Sequence, residues 1–187
     1  MHGLIAATRR MQQLATALLL ILLLSAPVTG MADEAQYTEY RIKTAFLYNF
    51  SRFTSWPEAT LQDRSEFSLC TLGNTLFRAQ LDTLIGKTVH SKTLVVKQFD
   101  RPEELVDCQL VFLSQSDELT ETLWILKELP VLTVSDAATF TEKGGIIQFE
   151  LVDNKVRFRI NVDAARTAGL TISSKLLSLA ISVTGTR

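Results

Sequence analysis

Two apolar stretches near the carboxyl end of the chain alternate with polar residues and flank a two-residue turn signal. Residues 146–152 and 155–160 surround Asp153-Asn154, and both residue types tolerate the positive φ angles of a tight hairpin. The implied register forms three apolar pairs on one face: Leu151 with Val156, Phe149 with Phe158 and Ile147 with Ile160. The other face pairs Glu150 with Arg157 and Gln148 with Arg159. A one-residue slip would expose the apolar face, so the pattern predicts an antiparallel hairpin in this register.

Strand and helix signals alternate along the rest of the chain. Strands are predicted over 67–72, 93–99, 109–114 and 131–134, with an extended segment at 170–172. Helices are predicted over 37–53, 75–84, 117–128, 162–168 and 174–183. In the first helix, Ile42, Phe46, Phe50 and Phe53 are expected to line one face. The order predicts an α/β fold: a three-layer α/β/α sandwich around a mixed sheet of about six strands, with a C-terminal β-hairpin and terminal helices.

The first 32 residues have the organisation of a secretory signal peptide. Arg9 and Arg10 precede an uncharged apolar run over 14–24, and a small-residue stop ends at Ala32. The run is short of the ~20 residues that a membrane-spanning helix needs. We therefore expect a leader over 1–32, cleavage after Ala32, and a single exported domain over 33–187.

Charge and cysteine content narrow the class of function. The expected mature chain carries 17 basic and 20 acidic residues without long runs of one sign, which disfavours nucleic-acid binding. Cys70 and Cys108 are the only cysteines, and two thiols in an oxidising compartment most simply form one disulfide. A redox-sensing role for the pair is the alternative.

Motifs that carry chemistry are scarce. His90 is the only histidine after residue 32, lies in a polar turn, and is expected to be solvated rather than catalytic. Zinc sites rich in histidine are excluded by count, and there is no dinucleotide-binding, P-loop or nucleophile-elbow motif. We therefore predict a binding or regulatory domain with no catalytic residues, no metal and no cofactor.

The last predicted helix is apolar nearly all round. Burial within its own domain is one interpretation. In the other, this end of the chain, with Leu170 and Ile172 leading into it, forms an exposed patch for a protein partner.

Two long segments resemble one known family. Residues 42–57 (IKTAFLYNFSRFTSWP) resemble the opening helix of YfiR-like proteins. Residues 156–177 (VRFRINVDAARTAGLTISSKLL) resemble their closing hairpin, helix and serine-lysine-leucine tail. The runs CQLVFL at 108–113 and PVLTVSD at 130–136 fall where the family has similar runs, so the resemblance covers nearly all of the expected mature chain.

The resemblance implies a periplasmic repressor. Such proteins bind the periplasmic sensor domain of an inner-membrane diguanylate cyclase and hold it inactive, which lowers cyclic-di-GMP and biofilm growth. An outer-membrane OmpA-like lipoprotein can sequester the repressor, and a homodimer is a further possible assembly. Cys70 and Cys108 match one family disulfide, while Gly144, Gly145 and Phe149 stand where some relatives have a second. Arg159 stands where a glutamate is common, and we count it with Leu170 and Ile172 as candidate partner-binding residues.

A second hypothesis belongs to a different class of function. The chain could be a periplasmic small-ligand receptor that feeds a sensor kinase or a transporter. Its pocket would lie at the carboxyl ends of the parallel strands, lined by Asn74, Thr75 and Ser116.

Overall fold

The computed structural model describes residues 30–73, 75, 78–114 and 118–185, and Tyr37–Arg187 is one compact unit. The predicted leader lies outside the described residues up to position 29. Residues 30–32 are helical, and cleavage after Ala32 stays a prediction.

The helices, all short except the first, are α1 (Gly30–Phe53), α2 (Glu58–Leu61), α3 (Arg78–Asp82), α4 (Leu119–Leu126), α5 (Val162–Thr167) and α6 (Ser174–Leu177). A 3-10 helix covers Pro102–Leu105. The strands are β1 (Thr54–Ser55), β2 (Glu66–Leu72), β3 (Thr88–Val89), β4 (Lys92–Phe99), β5 (Leu110–Leu113), β6 (Leu132–Ser135), β7 (Ile147–Val152), β8 (Lys155–Asn161), β9 (Thr171–Ile172) and β10 (Ser182–Thr184).

Eight of these strands form one mixed sheet in the order β10-β8-β7-β6-β5-β2-β4-β3. The neighbours from β4 to β7 run parallel, β7 and β8 form an antiparallel pair, and β1 pairs with β9 separately. The predicted mixed α/β fold is confirmed. The sheet exceeds the expected six strands because the two-residue β3 and the C-terminal β10 add to its edges.

Both faces of the sheet are covered, which produces the three layers. On β5, Leu110 and Phe112 belong to the main core, which includes Leu47 and Phe50 of α1. Val111 and Leu113 of the same strand belong to a second core with Leu123 of α4. Alternate residues of one strand are therefore buried against different helices, as a strand covered on both faces requires.

The hairpin has the predicted register, with all five of the expected pairs in place. Asp153 and Asn154 have φ angles of 49° and 60°, as a tight turn of this kind requires. On its apolar face, Phe149 and Phe158 meet the first helix. The Phe50 ring centroid lies 5.5 Å from that of Phe149 and 4.9 Å from that of Phe158. This aromatic contact fixes α1 over the hairpin.

The carboxyl end of the chain differs from the prediction. Ser173 caps α6 as expected, its hydroxyl accepting a bond from the Leu176 amide, but the helix ends at Leu177 rather than at 183. Ser182–Thr184 instead adds a parallel strand to β8. The prediction of a final helix over 174–183 is wrong because β8 presents an unpaired edge, and β-branched residues such as Val183 fit a strand there.

Two further helices are shorter than predicted. The structure describes helix at Arg78–Asp82 and Leu119–Leu126. Parts of the predicted spans, at 76–77 and at 117, lie outside the described residues. The first helix is longer than predicted, because it begins at Gly30 rather than at residue 37. It ends at Phe53, before Trp56-Pro57, as expected.

Candidate binding cleft

A lysine is buried on the inner face of α1. The Lys43 side chain is 5% exposed, and its Nζ lies 2.6 Å from Glu39 Oε1 and 2.7 Å from Asp136 Oδ2. Glu39 is one turn earlier on the same helix, whereas Asp136 follows the carboxyl end of β6. The double ion pair therefore links the first helix to the end of a central strand.

Opposing effects act on the ammonium of Lys43. Burial favours the neutral form, but hydrogen bonds and charge attraction from Asp136 and Glu39 outweigh it, so the pKa of Lys43 is raised. The Phe149 ring centroid lies 5.9 Å from Nζ and adds a cation–π contact. Lys43 is consequently a positive charge that neighbouring residues hold in place.

A second ion pair lies on the polar face of the hairpin. The Arg159 guanidinium donates to Glu150 Oε2 at 2.5 Å, and this bond lowers the pKa of the Glu150 carboxyl. Arg157 is the residue directly opposite Glu150, so the ion pair runs diagonally to Arg159. The Arg159 side chain is still 41% exposed, which leaves donors available to another molecule.

These three ion pairs border one open cleft of about 560 Å³, which we call the charged cleft. It is lined by Glu39, Lys43, Asp136, Ala138, Thr139, Glu142, Gln148, Phe149, Glu150, Leu151 and Arg159. Four carboxylates and two cations face it, and both cations are already paired. The excess of acceptors suits a ligand or protein segment that presents cationic or hydrogen-bond-donating groups. The cleft lies at the carboxyl end of β6, an edge at which α/β sheets bind ligands.

The structure separates the three predicted partner-binding residues. Arg159 lies on the rim of the charged cleft. Leu170 and Ile172 are 4% and 9% exposed and belong to the main core, where β9 pairs with β1 beside the end of α1. Of the two interpretations of this end of the chain, the one that places Leu170 and Ile172 in an exposed patch is wrong, because the extended segment pairs with β1 at Thr54 and is buried. Their contact with a partner stays a prediction.

The two cysteines and the histidine that the sequence singled out have structural contacts. Cys70 and Cys108 form a disulfide with Cα atoms 6.1 Å apart, buried in the second core. His90 is exposed, but its Nε2 lies 2.9 Å from the carbonyl oxygens of both Ser51 and Thr54. It therefore closes the carboxyl end of α1, where carbonyls lack helical partners.

Of the three residues expected to line a receptor pocket, Asn74 and Ser116 lie outside the described residues, and Thr75 is buried. Within the described part of the chain, no cluster of histidine, cysteine or carboxylate side chains could hold a metal ion. No helix there is long and apolar enough to cross a bilayer.

Sequence reasoning missed Lys43 and therefore the centre of the cleft. The predicted apolar stripe included Ile42, which is exposed, while Lys43 and Leu47 face inward. A lysine is normally assigned to the solvated face of a helix, because burial of an unpaired ammonium is costly. The available signal was the spacing of Glu39 and Lys43, which places opposite charges one turn apart.

The fold and the cleft define a class of protein: an α/β sandwich domain whose most distinctive surface is a charged cleft beside a β-hairpin. The YfiR/HmsC-like family model matches residues 40–181, and this chain belongs to that family. Among curated proteins, none matches the sequence.

A solved structure shares the fold. The crystal structure of a conserved domain protein from Vibrio cholerae O1 biovar El Tor strain N16961 is similar, with a TM-score of 0.51 and 10% sequence identity. The similarity covers 75% of this chain and 60% of that one, so this chain spans less than two thirds of that protein's length. At this identity, the likeness concerns the fold alone.

Proposed function

We propose that this protein is a periplasmic regulator that binds the periplasmic sensor domain of an inner-membrane diguanylate cyclase and represses it. The family match over residues 40–181 carries the proposal. Binding would lower cyclic-di-GMP output by stabilising the inactive state of the cyclase. For that, the protein must bind the inactive state more tightly than the active one.

Two features support a location outside the cytoplasm. The first 32 residues have the pattern of a secretory leader. The disulfide between Cys70 and Cys108 suits an oxidising compartment, where such bonds persist.

The proposed activity is binding rather than turnover. The one histidine after residue 32 is placed between two backbone carbonyls, and both cysteines are joined. The charged cleft offers fixed charges that α1, the end of β6 and the hairpin hold in place, which is an arrangement suited to recognition. Pre-organised charges of this kind contribute to specificity and to the rate of association.

We assign the partner contact to the rim of the charged cleft at Arg159. Its guanidinium is partly exposed and is held by Glu150, so it presents donors in a defined direction. The surrounding carboxylates Glu39, Asp136 and Glu142 would meet basic or amide groups of the sensor domain. An outer-membrane OmpA-like lipoprotein that sequesters the regulator would compete for it and raise cyclic-di-GMP.

Reversal of the charge at Arg159 tests this assignment. In cells that carry the regulator and its cyclase, Arg159→Glu should raise cyclic-di-GMP toward the level of a deletion strain. A charge pair at an interface is worth about 1.5 kcal/mol or more, which corresponds to at least a tenfold loss of affinity. Cyclic-di-GMP in extracts and the melting temperature of the purified variant are the measurements.

Lys127→Glu is the matched control, because Lys127 is an exposed lysine whose only ion pair in the described residues is with its neighbour Glu128. It should leave repression intact. A folded, exported Arg159→Glu protein that represses as fully as the wild type would remove the charged cleft from the proposal. If deletion of the regulator also left cyclic-di-GMP unchanged, repression itself would be refuted.

A further inference from the structure

A second groove lies between α1 and α3 and shares no lining residue with the charged cleft. It has a volume of about 460 Å³, within the range of small-molecule sites. It is lined by Tyr37, Arg41, Thr44, Ala45, Tyr48, Asn49, Ala79, Gln80, Thr83, Leu84 and Lys87. We call it the α1–α3 groove.

The charged residues of the α1–α3 groove are both cations. Arg41 and Lys87 line it, and no carboxylate does. Within the part of the chain that the structure describes, neither cation has a carboxylate within ion-pair distance. This contrasts with the charged cleft, where carboxylates hold both cations. Two uncompensated cations on one small groove favour an anionic occupant.

Aromatic rings provide flat walls beside these cations. The Arg41 guanidinium lies 5.9 Å from the centroid of the exposed Tyr37 ring, and Lys87 Nζ lies 5.7 Å from that of Tyr48. The Tyr48 hydroxyl donates to the Thr88 carbonyl at 3.2 Å, which fixes its ring. A planar apolar group can stack on the exposed Tyr37 ring while its anionic substituent meets the cations.

One buried polar atom of the groove lacks a partner. Thr44 is 4% exposed, and its Oγ1 forms no hydrogen bond with the described residues. A buried hydroxyl without a partner is costly, and such a group requires an explanation. Thr44 lines the groove, and the amides of Asn49 and Gln80 add hydrogen-bond donors to the same lining.

From these observations we infer that the α1–α3 groove binds a small organic anion with a flat aromatic part. The cations would hold its carboxylate or equivalent group, the tyrosines its ring, and Thr44 an acceptor oxygen. The volume and the buried hydroxyl favour a small molecule over an acidic protein segment, since a folded chain reaches such an atom poorly. This inference does not depend on the proposed repression of a cyclase.

A charge series on one ring provides the test. Phenylacetate, phenylacetamide and phenethylamine, titrated into the purified domain over 33–187 with NMR detection, carry negative, neutral and positive groups on the same scaffold. We expect phenylacetate to bind with a Kd on the order of 1 mM, at least about fivefold tighter than the other two, and to shift resonances of the groove. Equal affinities, shifts confined to the charged cleft, or binding of polyglutamate but not of phenylacetate would overturn the assignment.

Three variants in the groove and one control outside it test where phenylacetate binds. Arg41→Gln and Lys87→Gln should each weaken phenylacetate binding about threefold, while Lys127→Gln, outside the groove, should not change it. Thr44→Val should weaken the anion yet raise the melting temperature of the free protein by about 2 °C, because it removes an unsatisfied hydroxyl. Unchanged binding in both cation variants would overturn the proposal, and so would a Thr44→Val protein that is less stable and binds as before.

Discussion

Replacement of both cysteines by alanine is expected to lower the free energy of unfolding by about 4 kcal/mol. The disulfide between Cys70 and Cys108 spans a sequence separation of 38 residues. Closure of a loop of this size lowers the conformational entropy of the unfolded chain, which destabilises the unfolded state by about 4 kcal/mol. Cys70 is on the central strand β2, and Cys108 precedes its neighbour β5. The cross-link therefore constrains the pairing of two parallel strands, which must otherwise form across a long connection.

Thermal unfolding of the purified double variant measures this effect. For a domain of this size we expect a fall in melting temperature of about 10 °C. A second double variant, Cys70→Ser with Cys108→Ser, separates the effect of the cross-link from that of polarity at the site. Its melting temperature should be lower than that of the alanine variant, because it buries two hydroxyl groups. A melting temperature within about 2 °C of the wild type, in oxidising buffer, would mean that the cross-link contributes little.

Lys43→Met should lower the free energy of unfolding by about 2–3 kcal/mol, the second largest effect expected. The substitution keeps much of the side-chain volume but leaves the carboxylates of Glu39 and Asp136 without their cation. Loss of one partner from a fully buried pair costs about 3–5 kcal/mol. The two carboxylates are 24% and 35% exposed, so water compensates for part of this loss.

Urea unfolding compares this variant with Lys127→Met, which removes an exposed lysine and should change stability by less than about 0.5 kcal/mol. Adding Glu39→Gln and Asp136→Asn to Lys43→Met should restore part of the loss. Because the pKa of Lys43 is raised in the folded state, its stabilisation is complete below the ordinary value of 10.5 and declines only as the pH rises through the raised value. A Lys43→Met protein as stable as the control would show that the ion pairs merely offset their desolvation.

Local patterns predicted the hairpin because two independent signals agreed. The turn residues Asp153-Asn154 and the alternation of apolar residues both specify the same register, and a slip would expose Phe149 and Phe158. The buried strand β5 was equally easy to predict from the sequence, because its four residues are all apolar and leave no polar face. Agreement between turn chemistry and patterning is what makes a local segment predictable.

The wrong predictions concern segments whose structure depends on contacts with residues far away in the sequence. Nothing near Ser182–Thr184 indicates that β8 leaves an edge free for it, so its apolar residues were assigned to a helix. Leu170 and Ile172 are buried because β9 pairs with β1, more than a hundred residues earlier. Lys43 is paired with Asp136 from another element. The cleft could not be predicted because it forms only when α1, β6 and the hairpin are brought together.

The residues of the charged cleft lie on the same elements that pack the core. The aromatic contacts of α1 with the hairpin bury its apolar face, while Lys43 joins the same helix to the end of β6. Arg159 and Glu150 complete the other wall of the cleft. The charges of the cleft are therefore attached to elements of the core, which limits their movement.

The direct measurement is the activity of the full-length diguanylate cyclase in detergent, where its periplasmic domain and its GTP site are both accessible, with purified domain 33–187 added in increasing amounts. If the protein acts by binding, cyclic-di-GMP synthesis should fall saturably to a low plateau, and Arg159→Glu should require at least about ten times more protein for the same inhibition. An unchanged rate of synthesis at a protein concentration far above that of the cyclase would contradict the account.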